Sequence, residues 1–363
     1  MVDVSPPPAT TAVILNWNGK NWLEQFLPSV LASTYSTLQV LVVDNGSTDD
    51  SVNWIRATFP AVEVLALDQN YGFAEGNNKA IPHIHTPYFV LLNSDVEVAP
   101  GWLEPLVSAM EADPQLVASQ PKLLAWHDKD SFEYAGAAGG WIDRFGYAFC
   151  RGRIFDELEQ DTGQYDKAQD CLWATGACIM LRTEVVKQIG LFHGELFAHW
   201  EEIDFCWRAW NLGYRVRAIP QSVAYHVGGG TLPQGNPRKT FLNVRNSLIC
   251  LYLNLPLSRR LWVMSVRLIL DGVWGLKSLS KGDVGSVKAI IRAHWSFFGA
   301  IPFWKNKRKA IYGEQQPASM PAGGYWPHSV VWAHFAKGKK TFSEIVFFEK
   351  SEGQVSEVRQ ERF

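Results

Sequence analysis

Residues 90–98 read V-L-L-N-S-D-V-E-V, and Phe89 precedes them. The apolar run Phe89-Val90-Leu91-Leu92 thus ends abruptly in a polar turn, Asn93-Ser94-Asp95, followed by Glu97. An apolar run of this length bounded by polar residues reads as a strand buried on both faces, as in a parallel sheet covered by helices. Open α/β sheets bind ligands at the carboxyl ends of their strands, and Asp95 falls at such an end. A carboxylate there suits a divalent metal held against a phosphate, because Mg2+ and Mn2+ favour oxygen ligands and take few carboxylates from the protein. Read alone, the same three residues also form good turns and N-caps.

The pattern repeats upstream. Thr11-Ala-Val-Ile-Leu-Asn16 runs into Trp17-Asn18-Gly19, and residues 21–33 place Trp22, Leu23, Phe26, Leu27, Val30 and Leu31 at helical spacing. Val40-Leu-Val-Val-Asp44 is a second buried strand, and Ser47 or Thr48 caps the helix after it. Residues 62–65 form a third strand, and residues 70–78 a glycine-rich turn entering a short helix. Four β–α alternations in under 100 residues imply a mostly parallel, doubly wound α/β sheet.

Downstream, residues 99–155 hold one helix and then glycine-rich, aromatic segments suited to a mixed sheet. The acidic stretch 156–170 reads as a mobile surface loop, and 171–182 as a strand interrupted by Gly176. A helix over 197–212 carries Glu201, Glu202 and Asp204 in its first turn, where negative charge suits the helix dipole. A strand over 214–219 leads to His226.

The formal net charge of −2 conceals a division. Residues 1–230 carry 14 Lys and Arg against 28 Asp and Glu, residues 231–312 carry 14 against 2, and residues 313–363 carry 6 of each. Such asymmetry suggests two jobs on one chain. The first ten residues have neither the basic nor the apolar region of a signal peptide, and no continuously apolar stretch reaches the length of a spanning helix. Five cysteines without a C-x-x-C pair argue for a reducing compartment and against a disulfide frame or a zinc site.

Taken singly, the polar residues at the strand ends have plain explanations: Asp44 and Asp49 as turn and cap residues, His226 as a polar strand end. Together, Asp and His at separate strand ends with an acidic cluster between them supply the parts for one metal and one general base. The chain holds V-I-L-N-W-N-G (13–19), V-V-D-N-G-S-T-D (42–49), N-Y-G-F-A-E-G-N-N (70–78), L-L-N-S-D-V (91–96), T-G-A-C-I-M-L-R (175–182), W-E-E-I-D-F-C-W-R (200–208) and Y-H-V-G-G (225–229). In content, order and spacing these resemble an inverting family 2 glycosyltransferase, with the closest likeness to bacterial rhamnosyltransferase-like members acting on polyprenyl-linked sugars. The resemblance spans residues 11 to about 230 and continues weakly into 241–257, where Arg245-Asn246 recurs.

The resemblance implies a GT-A fold, a Rossmann-like doubly wound mixed sheet, over residues 9–230. It implies that Asp44 accepts the pyrimidine N–H and that Gly72, Phe73 and Asn77 line the nucleotide-sugar. Asn16, Asn93, Ser94 and Gly176 fall in the motifs of the resemblance, and Trp173, two residues before T-G-A-C, is counted with them as nucleotide-sugar-binding. Asp95 matches the metal carboxylate of the D-x-D motif, and His226 the imidazole that completes the metal shell. Glu202 matches the general base, with Asp204 as a supporting acid. The chain departs from the pattern at Asn93, where the first acid of D-x-D is an amide, and at Glu202, one methylene longer than the commoner Asp. The implied cofactor is Mg2+ or Mn2+, and the implied donor a nucleotide-sugar, dTDP-L-rhamnose ahead of UDP-hexoses and UDP-galactofuranose. The implied acceptor is a glycan or a polyprenyl-linked saccharide.

Residues 231–312 form a helical, basic and aromatic appendage. Arg260, Arg267 and Asp271 fall on one stripe of an otherwise apolar helix. Lys and Arg beside Trp and Phe and an apolar stripe compose an interfacial helix, which places the chain on the anionic inner face of the cell membrane, on the cytoplasmic side. The plainer alternative is a helical cap with solvated charges. Residues 313–363 read as a linker and a partly flexible tail. A catalytically inactive nucleotide-sugar-binding protein on the same scaffold is the competing function, supported by Asn93. A Rossmann dehydrogenase is excluded, because the first turn is N-W-N-G-K-N rather than G-x-G-x-x-G. No nucleic-acid-binding module is recognisable.

Overall fold

The computed structural model of the chain describes residues 6–228 and 236–346. Strands β1 (Thr10–Asn16), β2 (Leu38–Asp44), β3 (Glu63–Ala66) and β4 (Tyr88–Asn93) are parallel, in the spatial order β3-β2-β1-β4. Helices α1 (Lys20–Leu31), α2 (Ser51–Thr58) and α3 (Gly72–Ala80) make the crossovers. The strands are apolar on both faces because both are covered: Val13, Val42, Val43, Phe89 and Val90 are all fully buried.

Beyond β4 the chain adds β5 (Val96–Val98), α4 (Leu103–Ala112), β6 (Leu116–Ala125) and β7 (Asp128–Phe132). Short strands β8 (Gly140–Asp143), β9 (Ala148–Cys150), β10 (Arg153–Ile154), β11 (Glu157–Leu158) and β12 (Gln169–Asp170) follow. Then come β13 (Cys178–Arg182), α5 (Thr183–Ile189), α6 (Glu201–Asn211) and β14 (Arg215–His226). β13 pairs antiparallel with β4, and the sheet continues through β6 and β14 to β12, so it is parallel on one side and mixed on the other.

Helices α7 (Pro237–Asn254), α8 (Leu257–Ser280), α9 (Val284–Gly299) and α10 (Ile301–Tyr312) form the appendage. Among the described residues, no helix is long and apolar enough to cross a membrane. The boundary expected at 230/231, with Gly229 of the Y-H-V-G-G motif, lies outside the described residues.

Four local expectations need correction. The stretch 156–170 is folded onto the body: Tyr165 is buried, and Asp161 (2.7 Å) and Asp166 both meet the buried Lys122 ammonium. The strand expected over 171–182 starts only at Cys178, and the helix expected from 197 starts at Glu201. Residues 313–346 are no detached tail. β15 (Tyr325–Trp326) pairs with β8 in a second sheet, and Phe342 and Ile345 of α11 (Phe342–Val346) enter the core.

Candidate active site

Parallel pairing sets three polar strand ends side by side: Asn16 opposite Asp44, and Leu15 opposite Asn93. Asn16 and Asp44 are buried, and the Asn16 amide donates to Asp44 Oδ1 (3.0 Å) and to Ser47 Oγ (3.3 Å). The Ser47 N–H donates to Asp44 Oδ2 at 3.0 Å. The Asn16 Oδ1 atom is buried without a partner. Such an orphaned acceptor is one a ligand donor can satisfy.

The turn before α3 is tied to this edge through Asn45, whose amide donates to the Gly72 carbonyl at 3.0 Å. Gly72 has φ +79°, and a Cβ there would sit 2.6 Å from the Phe197 ring, so only glycine fits. Phe73 comes within contact distance of Gly176, which in turn lies against Glu202: a Cβ on Gly176 would be 3.3 Å from the Phe73 ring and 3.9 Å from Glu202 Cβ. Residues from three distant motifs therefore meet at one wall.

Asp95 follows β4, and antiparallel pairing of β5 with β14 brings His226 beside it, Nε2 to Oδ1 3.2 Å. The other ring nitrogen, Nδ1, lies 3.2 Å from Glu133 Oε1. Burial pulls the His226 pKa down, but Glu133 and Asp95 on either side outweigh it and raise it to about 10. This pocket is built for a positive charge. A carboxylate behind the far nitrogen of a metal-facing histidine is also the usual means of orienting such a ligand. The residues thus fit a divalent cation on Asp95 and His226, although no three His, Cys, Asp or Glu side chains among the described residues form a complete cage.

Glu202 sits in the first turn of α6, with its Oε2 atom buried and unpartnered. Burial pushes its pKa up to about 7, against the backbone N–H groups of Glu202, Ile203 and Gly176, which favour the carboxylate. Burial and the neighbouring Glu202 also raise Glu201 well above the usual carboxylate range. The loop feeding the helix is unusual: Phe197, His199 and Trp200 have φ of +66°, +69° and +73°. Each costs about 1 kcal/mol or more without compensation. Compensation comes from α7. The buried Asn246 amide donates to the carbonyls of Leu196 (2.9 Å), Ala198 (2.9 Å) and His199 (2.7 Å). Arg245 donates to the carbonyls of Glu195 (3.0 Å) and Leu196 (3.1 Å). The Phe197 carbonyl accepts from the Phe73 and Ala74 N–H groups, tying this loop to α3.

The other expected residues are distributed unevenly. Asn93 and Ser94 stand half-buried at the strand end. Asn77 is buried and donates to the Phe73 carbonyl, supporting the turn from within α3. Trp173 lies in the core, its indole N–H given to the Trp141 carbonyl at 3.1 Å. Asp204, two residues after Glu202, points elsewhere. It is fully buried, accepts from Asn254 of α7 (2.7 Å) and faces His193 (3.5 Å) and Arg208 (3.6 Å). Nothing in the residue order marks Glu133 or the Asn246 contacts, because neither lies in a strand-end motif. The recurrence of Arg245-Asn246 was the one available signal.

A curled, part-parallel sheet with polar residues gathered at its strand ends is the architecture of the GT-A glycosyltransferases. A complex of Staphylococcus aureus TarS 1-349 with UDP-GlcNAc superimposes with a TM-score of 0.55 at 15% identity, over 84% of this chain and 83% of that one. GalNAc-T7 with UDP, GalNAc and Mn2+ gives 0.54 at 16% identity, over 69% of this chain and 48% of that one. The chain belongs to glycosyl transferase family 2, whose family model matches residues 11–190. A curated relative, the N-acetylglucosaminyl-diphospho-decaprenol L-rhamnosyltransferase of Mycobacterium tuberculosis, is 25% identical over 244 residues, covering 62% of this chain and 76% of the relative.

Proposed function

We propose that the chain transfers a sugar, L-rhamnose from dTDP-L-rhamnose first among the donors, to a hydroxyl of a glycan or polyprenyl-linked acceptor in polysaccharide synthesis. The observation that carries the reading is the half-buried Glu202 at the Phe73–Gly176 wall, its Oε2 atom buried without a partner; burial raises its pKa to about 7. A base is most effective with a pKa near the operating pH. Glu202 takes the proton of the acceptor hydroxyl, whose oxygen bonds to the anomeric carbon as the bond to the nucleoside diphosphate breaks. With one base and no carboxylate nucleophile, the anomeric configuration inverts.

Asp44 and Asn16 hold the nucleotide base, and the turn at Gly72 and Phe73 holds the sugar. Asp95 and His226 would hold Mg2+ or Mn2+, which when bound supplies positive charge against the departing diphosphate. The relative's printed acceptor is a lipid diphosphate, and α8 and α9 turn apolar side chains outward, Leu261 being 81% and Trp295 76% exposed. With the surrounding Lys and Arg, that surface suits the anionic inner face of the cell membrane.

The reading is tested by release of nucleoside diphosphate from a panel of dTDP-, UDP- and GDP-sugars with Mg2+ or Mn2+. Release from dTDP-L-rhamnose above the rest is expected. Release from UDP-sugars alone moves the donor to a hexose or galactofuranose, and release from none overturns the proposal.

A further inference from the structure

A cleft of about 460 Å3 opens between the start of α7 and the first half of α9. That volume is within the range that holds small ligands. Arg238, Lys288 and Arg292 line it, together with the ring of Phe241. Among the described residues none of these cations forms an ion pair with an acid. Arg292 lies 5.7 Å from the Phe241 ring and Arg238 lies 4.9 Å from the Phe197 ring. Asp283, just before α9, is committed to the Ser286 N–H at 2.9 Å. Among the described residues the three cations have the Asp283 carboxylate near them but no ion pair with it, so they repel one another across the cleft, and a compact anion of high charge relieves that.

Two neighbours of the cleft narrow the anion. On one side, Arg238 stacks on Phe197, whose ring covers Gly72 and whose loop leads to Glu202. On the other, Lys288, Arg292 and Trp295 stand four and three residues apart, on one face of α9. Along that face charge gives way to exposed apolar side chains, Ile291, Trp295 and Phe298. The adjoining α8, joined to α9 through Asp271 and His294, continues them with Ile269 and Leu276. A charged head and a long apolar tail are what such a surface fits.

We infer that the cleft holds the diphosphate of a prenyl-diphosphate-linked acceptor, its chain lying along the exposed face of α9 and α8 and its sugar reaching past Phe197 to Glu202. The inference rests on the proposed transfer reaction. The cations act as charge-assisted donors to the diphosphate oxygens.

The test is calorimetric titration of the full chain with farnesyl diphosphate, inorganic diphosphate, phosphatidylglycerol vesicles and dTDP. Wild type is compared with K288E/R292E and with the milder K288Q/R292Q, all at exposed positions. Farnesyl diphosphate is expected to bind more tightly than inorganic diphosphate. Its Kd should rise about tenfold or more in the variants while dTDP binding is unchanged. Equal farnesyl diphosphate affinity in wild type and variants overturns the inference. A loss confined to vesicles also overturns it, by assigning the cations to lipid headgroups. A parallel loss of dTDP binding does so by assigning them to the donor. Nucleotide-sugar turnover separates the two proposals. A chain that turns over no nucleotide-sugar yet binds farnesyl diphosphate through these cations refutes the reaction and keeps the cleft. One that transfers sugar to a prenyl-diphosphate-linked acceptor with the same acceptor KM in the variants refutes the cleft alone.

Discussion

The catalytic sheet and helix α8 treat polarity in opposite ways. Around β1, β2 and β4, apolar side chains fill the interior and the polar residues Asn16, Asp44, Asn93 and Asp95 collect at the strand ends. In α8 two opposite charges lie inside, while Lys277 is exposed. Arg267 and Asp271 are buried, while Leu261, Ile269 and Leu276 are 81%, 66% and 69% exposed. The buried pair is fully engaged. Arg267 reaches Asp271 (3.1 Å), the Gly146 carbonyl (3.0 Å) and Ser247 (3.1 Å), and His294 meets Asp271 at 3.2 Å. A buried ion pair is tolerated only with such satisfaction, and apolar groups left facing outward on this scale mark an interaction surface. The sheet gathers polar side chains at its strand ends, and the appendage leaves apolar ones on its exterior.

If chemistry occurs at the strand ends, Glu202→Gln should lower turnover by roughly 10²–10⁴ while leaving donor affinity nearly intact. Equal losses in both would remove Glu202 from the role of base. Next in size, Asp95→Ala and His226→Ala should weaken metal-dependent donor binding by about 10- to 100-fold, read by titration of nucleoside diphosphate with and without EDTA. Donor binding and activity indifferent to EDTA would contradict the metal role. Asn246→Ala removes the donor that holds the carbonyls of the 196–200 loop. We expect kcat to fall by about tenfold and Tm by several degrees, with donor KM little changed. An unchanged kcat would make Asn246 a packing residue only.

The smallest effect probes the other region. Flotation with anionic vesicles should be lost in I269E/L276E, or when Lys305, Lys307, Arg308 and Lys309 are neutralised, with turnover on a short soluble acceptor preserved. Absence of wild-type binding at low salt would refute the membrane surface. Arg308 is itself buried and caps the end of α7, donating to the Tyr252 and Leu255 carbonyls at 2.8 Å and 2.9 Å. The I269E/L276E variant is therefore the cleaner probe.

What the sequence disclosed followed from local rules. A strand buried on both faces needs an unbroken apolar run, so β1, β2 and β4 and the polar residues at their ends were legible from residue order alone. What escaped it depends on distant partners. Phe197, His199 and Trp200 adopt positive φ with no glycine to announce it, because N–H groups of α3 hold the Phe197 carbonyl, Asn246 the His199 carbonyl and the Asp204 N–H the Trp200 carbonyl. The side of α6 that Asp204 occupies is set by Asn254, fifty residues on. The arrangement of α8 was half legible: spacing placed Arg267 and Asp271 on one stripe, but only Tyr147, Ser247 and His294 show that the stripe faces inward. Likewise, the composition of residues 313–346 gives no sign that Tyr325, Trp326 and Phe342 complete the second sheet and its core.

The most direct test of the account is the dependence of kcat on pH in the wild-type chain at saturating donor, metal and acceptor. A base must be unprotonated to act, and burial raises Glu202 to about 7. The rate should therefore climb as pH rises through about 7 and level off above it, and the residual activity of Glu202→Gln should lack that limb. A wild-type rate that is flat between about pH 5 and 9, or that falls as pH rises through 7, contradicts it.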